Sequence, residues 1–215
     1  PNAGNKRPPR RVQLRPFALD THEVTCEAYA AFVNAQLSDR QALLPRGWTL
    51  DGAGRAQVPE DRADHPVTYV SWDQADAYAR SLGKRLPTED EWEAAASGFE
   101  ARAYPWGDAF LADKSNGSWS GSNGTVPVES YPDARSPAGC FDMAGNVWEW
   151  TATTADGTDV QRLPEGYVSM VIRGGGFNSR REEIATRYRW TALGQGTFGL
   201  PTYDTPIGFR CAEDL

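Results

Sequence analysis

The chain has 215 residues, a formal net charge of −7 and an isoelectric point near 4.9, so no positive field draws in nucleic acid or an anionic membrane surface. Hydrophobic residues make up 40% of it, and no apolar run approaches the ~18 residues that would span a bilayer. Eight Trp, eight Tyr and eight Phe supply core area, while 21 Gly and 15 Pro point to short elements joined by many turns.

Residues 1–11 form a basic, proline-containing arm, read as a solvated tail with a partner-binding patch as the alternative; residues 12–215 are expected to form one domain. A first strand is expected near 12–17. Thr25 then caps a helix in which Tyr29, Phe32 and Val33 share a face. The glycine-rich "RGWTLDGAGRAQV" reads as a hairpin, and His65, held extended by Pro66, as a structural hydrogen-bonding residue. Ser71 with Gln74, and Thr88 with Glu91, are capping boxes that announce two further helices. The first turns Ala75, Tyr78, Ala79 and Leu82 inward and stops at Gly83. The second turns Trp92, Ala95 and Ala96 inward and stops at Gly98.

From Tyr104 onward the pattern changes to turn chemistry with isolated aromatics: "YPWGD", "NGSWSGSNG", "SYPDARSPAG". Short strands are expected at 147–151, 170–173 and 208–212. Such a long irregular stretch needs something to hold it, either metal ligation or aromatic pegs. The cysteines Cys26, Cys140 and Cys211 are too scattered for a disulfide scaffold; one bridge plus a free thiol, or three free thiols, both fit. With no CxxC and only His22 and His65, a Cys/His zinc site has no ligand set.

The segments "HPVTYVSWDQADAYARSLGKRLPTEDEWEAAA", "YPWGD", "GCFDMAGNVWEW", "VIRGGGF" and "IGFRC" follow one another in an order and spacing that resembles the formylglycine-generating enzyme (sulfatase-modifying factor) family, over residues 12–212. The resemblance implies an α+β, C-type-lectin-like fold, loop-rich, with short twisted sheets, about three helices and termini on neighbouring strands. It also implies a structural calcium ion held by side chains of Asp142 and Glu149 and carbonyls of Gly145 and Val147. Calcium takes six to eight hard oxygens, and such a bent loop supplies four. The competing reading has Asp142 cap a turn and Glu149 pair with an arginine such as Arg173. A second calcium site is implied at Asn116 and Gly117, but its acid is missing and Ser120 or Ser122 stands nearby, so an empty site is favoured there.

The family's oxidases hold copper(I) with two cysteines after the "RGG" motif. Here Ser179 stands at the first position and Ile184 or Ala185 at the second. Hydroxyl and aliphatic groups do not replace thiolates, so copper-dependent cysteine oxidation is not expected. The resemblance also puts Cys211 at a structural position whose usual partner, near Ala79, is gone. The iron-dependent sulfoxide synthases related to the family need a second, histidine-bearing domain that is absent from these residues.

What remains is a catalytically silent ligand-binding domain, such as a sensor module or a variable protein of a diversity-generating retroelement. The alternative is an oxidase or another metal-dependent enzyme using the same cleft. The window after "RGG" holds Phe177, Asn178, Arg180, Arg181, Tyr188, Trp190, Phe198, Tyr203 and Asp204, residue types that anchor binding surfaces at low entropy cost. Its partner is expected to be a protein or a small molecule, bound by a monomer. The competing reading makes these aromatics core, with half of them buried, Trp190 filling the space of a lost bridge, and Arg187 and Arg189 only neutralising the acidic body.

Overall fold

The computed structural model describes residues 10–163, 165–166, 168–194 and 205–215. After strand β1 (Phe17–Leu19), helices begin where side chains offer caps. Thr25 accepts the Ala28 N–H at the start of α1 (Cys26–Ala35). A four-residue helix, α2 (Arg40–Leu43), follows without a side-chain cap and without a sequence signal. Ser71 and Thr88 make complete capping boxes before α3 (Trp72–Ser81) and α4 (Glu89–Ser97), each satisfying two orphan N–H groups. Gly98 ends α4 at φ +64°, where an added Cβ would also come within 2.8 Å of the Pro137 ring. Leu82, expected to face inward, is the C-cap of α3 and is 55% exposed, because the helix has already ended.

The remaining strands are β2 (Trp148–Thr154), β3 (Ser169–Arg173), β4 (Trp190–Leu193), β5 (Ile207–Gly208) and β6 (Ala212–Asp214). β4-β3-β2-β5 form one sheet, antiparallel except for β2 and β5. β1 and β6 form the other, with Phe17 opposite Asp214, so the two ends of the domain meet on neighbouring strands. Three expectations are corrected here. The first strand lies at the end of 12–17 and beyond it, because its pairing partner reaches only Phe17–Leu19. The strand expected at 208–212 is two strands in different sheets, since the chain changes partners at Phe209 and Arg210. β4 pairs Trp190 with Ile172 and was not expected in a window of loop composition. The hairpin appears as a tight turn, with the Asp51 N–H donating to Arg55 and Gln57 to Thr49.

The core lies between α1, α3 and the larger sheet. Tyr29 and Tyr78 stack with ring centroids 5.7 Å apart, and Phe209 meets both edge-on. The indole N–H groups of Trp72 and Trp150 donate to the Thr151 and Val70 carbonyls, so neither ring buries an unpaired donor. Trp92, Ala95 and Ala96 of α4 close a second cluster with Cys140 and Met143. All three cysteines are free and buried, which selects the three-thiol alternative, and burial pushes the Cys26 thiol up to about 11. Among the described residues no helix is long and apolar enough to cross a membrane.

Candidate functional site

The loop before β2 turns sharply: Asp142, Gly145 and Asn146 all have positive φ, at 56°, 88° and 64°. Gly145 is required there, because a Cβ would stand 2.3 Å from the Asn116 carbonyl oxygen. The loop then enters β2, whose seven residues are all buried, Glu149 completely.

Glu149 is held by Arg210 of the "GFR" segment. Arg210 donates from Nε to Oε2 at 2.7 Å and from Nη2 to Oε1 at 2.8 Å, and the Trp92 indole N–H adds a third bond to Oε2 at 2.9 Å. The other guanidinium N–H groups donate to the carbonyls of Asp20, Thr21 and Phe141. Burial works against the Arg210 charge, and Glu149 outweighs it, so the guanidinium stays charged. Glu149 thus pairs with an arginine, but not with Arg173, although Arg173 is its cross-strand neighbour. Trp92 stands between them, its N–H on Glu149 and its ring under the Arg173 guanidinium at 5.3 Å. Arg173 turns instead to Glu89 and Glu93 of α4.

The two implied calcium sites fare differently. At the first, three N–H donors take three of the roughly four acceptor positions of Glu149, which leaves one on Oε1 for an ion. Asp142 is buried, with Oδ2 accepting the Glu129 N–H at 2.8 Å, so it also staples a turn. Gly145 and Val147 are buried on either side of Asn146. At the second site, Asn116 Oδ1 accepts the Ser120 hydroxyl at 2.7 Å and its amide donates to Gly124 O. The Gly117 carbonyl accepts the Ser120 N–H. Ser120 has taken up the oxygens an ion would need, and the residues present do not fit one. His65 meets the Thr125 hydroxyl at 2.8 Å, the structural role its sequence context suggests.

Beyond β3 the chain folds back over the buried Arg173. Arg173 donates to Glu89 at 2.9 Å, to Glu93 at 2.6 Å and to the Thr186 carbonyl, and Arg189 shares Glu89 at 2.8 Å. Arg189 therefore anchors the returning segment as well as balancing charge. Ser179 and Ile184 come together here. A Cβ built on Gly175 would touch Ile184 Cγ2 at 2.7 Å and Ser179 Cβ at 3.3 Å, so both side chains border one point. Ser179 Oγ accepts the Gly176 N–H, and Ile184 is fully buried, so a capped turn and an aliphatic contact occupy the place implied for a thiolate pair.

Outside this anchor lies an aromatic ladder. Tyr188 sits 6.2 Å from Trp148 and stacks on Trp190 at 6.5 Å and an interplanar angle of 4°. Trp190 is 48% exposed, so it does not fill a core space. Phe177 and Tyr188 are half-buried; Asn178, Arg180 and Arg181 are exposed. No residue among these six is buried, where burial of half the window is the core-packing expectation. Phe198, Tyr203 and Asp204 lie outside the described residues. Sequence reasoning missed the neighbouring pair Tyr104 and Trp106, stacked at 5.4 Å, with the Tyr104 hydroxyl donating to the Arg181 carbonyl. It also missed Arg210. An arginine inside the apolar "IGFRC" strand was the available signal, because a buried guanidinium needs an acid.

A model of the "Sulfatase-modifying factor enzyme 1-like domain" family matches residues 2–215. A formylglycine-generating enzyme of Thermomonospora curvata is 33% identical, the match covering 96% of this chain and 85% of that protein. The "Inactive C-alpha-formylglycine-generating enzyme 2" of Mus musculus is 30% identical over 96% of this chain and 78% of its own. Among solved structures, Treponema denticola variable protein 1 superposes with a TM-score of 0.66 at 20% identity, covering 93% of this chain and 84% of that one, a likeness of fold.

Proposed function

The chain belongs to the sulfatase-modifying factor family, and from that premise we propose that it is a catalytically silent member that binds a protein or small-molecule ligand on its 177–190 face. The observation that carries this reading is the meeting of Ser179 and Ile184 beside Gly175. A hydroxyl and an aliphatic group there offer no soft ligand to copper(I). The inactive mouse relative supports the reading by showing that the family includes silent members of similar sequence.

The face itself is built for recognition. The ion pairs of Arg173 and Arg189 with Glu89 fix its base, the Tyr188–Trp190 stack presents an apolar surface, and Arg180 and Arg181 of the same window are exposed. Rings and guanidinium groups on a fixed scaffold lose little entropy when they bind. The finer role, a sensor module or a retroelement variable protein, would show as extreme variation over residues 177–206 among close relatives.

Trp190→Ala tests the face. Selecting binders from a displayed random-peptide library against the wild type and titrating them against the variant should show at least about a tenfold loss, or ~1.4 kcal/mol. Stability by urea denaturation should fall by only about 1 kcal/mol, because the ring is half-exposed. Peptides that keep full affinity for both Trp190→Ala and Arg180→Ala would place recognition elsewhere.

A further inference from the structure

Strand β4 (Trp190–Leu193) is the outer edge of the larger sheet, and among the described residues it pairs only with β3. Opposite residues of an antiparallel pair either exchange both of their backbone bonds or neither. Val171 and Ser169 lie opposite Thr191 and Leu193, and both turn their carbonyls to the other side of β3. Val171 accepts the Thr151 hydroxyl of β2 at 2.8 Å, and Ser169 accepts the Ala155 N–H at 2.7 Å. The Gly194 N–H donates to the Val168 carbonyl at 3.0 Å, which fixes the same alternation from the end of the strand. Thr191 and Leu193 therefore aim their N–H and C=O groups away from β3, and no hydrogen bond to another described residue satisfies them.

Such an edge is a template for a further strand, and folded chains blunt it with charge, proline or a bulge. The β4 sequence WTAL has none of these: it carries no charge and no proline, and it pairs with β3 in unbroken register. Trp190 and Thr191 are exposed on it, and the Trp190 ring continues the stack begun by Tyr188 two residues earlier. The open edge thus runs on from the 177–190 face, with backbone donors and acceptors next to an apolar platform.

Resting on the reading of residues 177–190 as a ligand face, we propose that the ligand is an extended peptide that adds a strand to β4. Its backbone would pair with Thr191 and Leu193, whose outward groups repeat every second residue, about 6.8 Å apart. Side chains on the Trp190 side of the added strand would lie against Trp190 and Tyr188, which suits apolar or aromatic residues there. Proline is excluded wherever the peptide N–H bonds β4. A second copy of this chain fits the edge less well. Each copy carries a net charge of −7, and a four-residue strand buries too little against its twin to approach the ~1,600 Å² of a stable interface.

A peptide selected on the wild type from a displayed random library, resynthesised with single backbone N-methyl groups, tests this by fluorescence-polarisation titration. Methylation should weaken binding at least about tenfold at alternate residues and little at those between. Thr191→Pro removes an N–H that the sheet does not use and should weaken binding to a similar degree, whereas Thr191→Val should bind like the wild type. A peptide that loses affinity with Trp190→Ala, yet tolerates every N-methyl group and Thr191→Pro, would overturn strand addition and leave the face in place. Failure to select any peptide would overturn it as well, while a small molecule lost with Trp190→Ala would still support the face. If Thr191→Pro does not fold, the N-methyl series on the wild type decides. A dimer in sedimentation that Thr191→Pro dissolves would assign the edge to a second copy, against the proposal.

Discussion

Arg210→Leu is expected to lower stability by about 3–5 kcal/mol in urea denaturation, the cost of leaving a buried acid without its partner. Glu149 has no route to solvent, and the Trp92 N–H alone does not balance its charge. The same substitution strips the carbonyls of Asp20, Thr21 and Phe141 of their donors. Removing both charges, with Glu149→Leu added, should recover only part of the loss, because those carbonyls and the Trp92 N–H stay unpaired. A loss below about 1 kcal/mol for Arg210→Leu would mean that water reaches the pair.

Glu89→Ala should cost about 3 kcal/mol, and its effect should spread to the 186–190 segment. Glu89 is nearly inaccessible and holds both Arg173, itself 1% exposed, and Arg189. Arg173 Nε already lacks a partner, so little remains to compensate the stranded guanidinium beyond Glu93 and the Thr186 carbonyl. Hydrogen exchange should speed up over residues 186–190 more than in α1, since Arg189 loses its anchor. Trp190→Ala, by contrast, should leave exchange in that segment close to wild type. Equal acceleration in both variants would mean that the aromatic stack, and not the buried ion pairs, holds the segment.

What could be read from the sequence was what the chain decides locally. Thr25, Ser71 and Thr88 announced their helices because a cap and its N–H partner lie within three residues of each other. Composition marked the 177–190 window as surface, and Arg180, Arg181 and Trp190 are exposed there. Pairings over long separation were not legible. Arg173 was the arginine suggested for Glu149, and the two are cross-strand neighbours, yet a tryptophan from α4 stands between them and each charge pairs elsewhere. Nothing near Arg210 in the sequence pointed to residue 149. The stretch 208–212 looked like one strand because a strand carries no local mark of where its partner changes from β2 to β1.

The central claim is that this domain keeps the family scaffold without the family's oxidation chemistry. The most direct test is to incubate the protein with copper(I) and a sulfatase-type cysteine peptide in air, beside an active formylglycine-generating enzyme, and to weigh the peptide. With Ser179 at the first copper-ligand position and Ile184 or Ala185 at the second, the peptide should keep its cysteine mass while the active enzyme converts it to the aldehyde. Conversion at a rate comparable to the active enzyme would contradict the account.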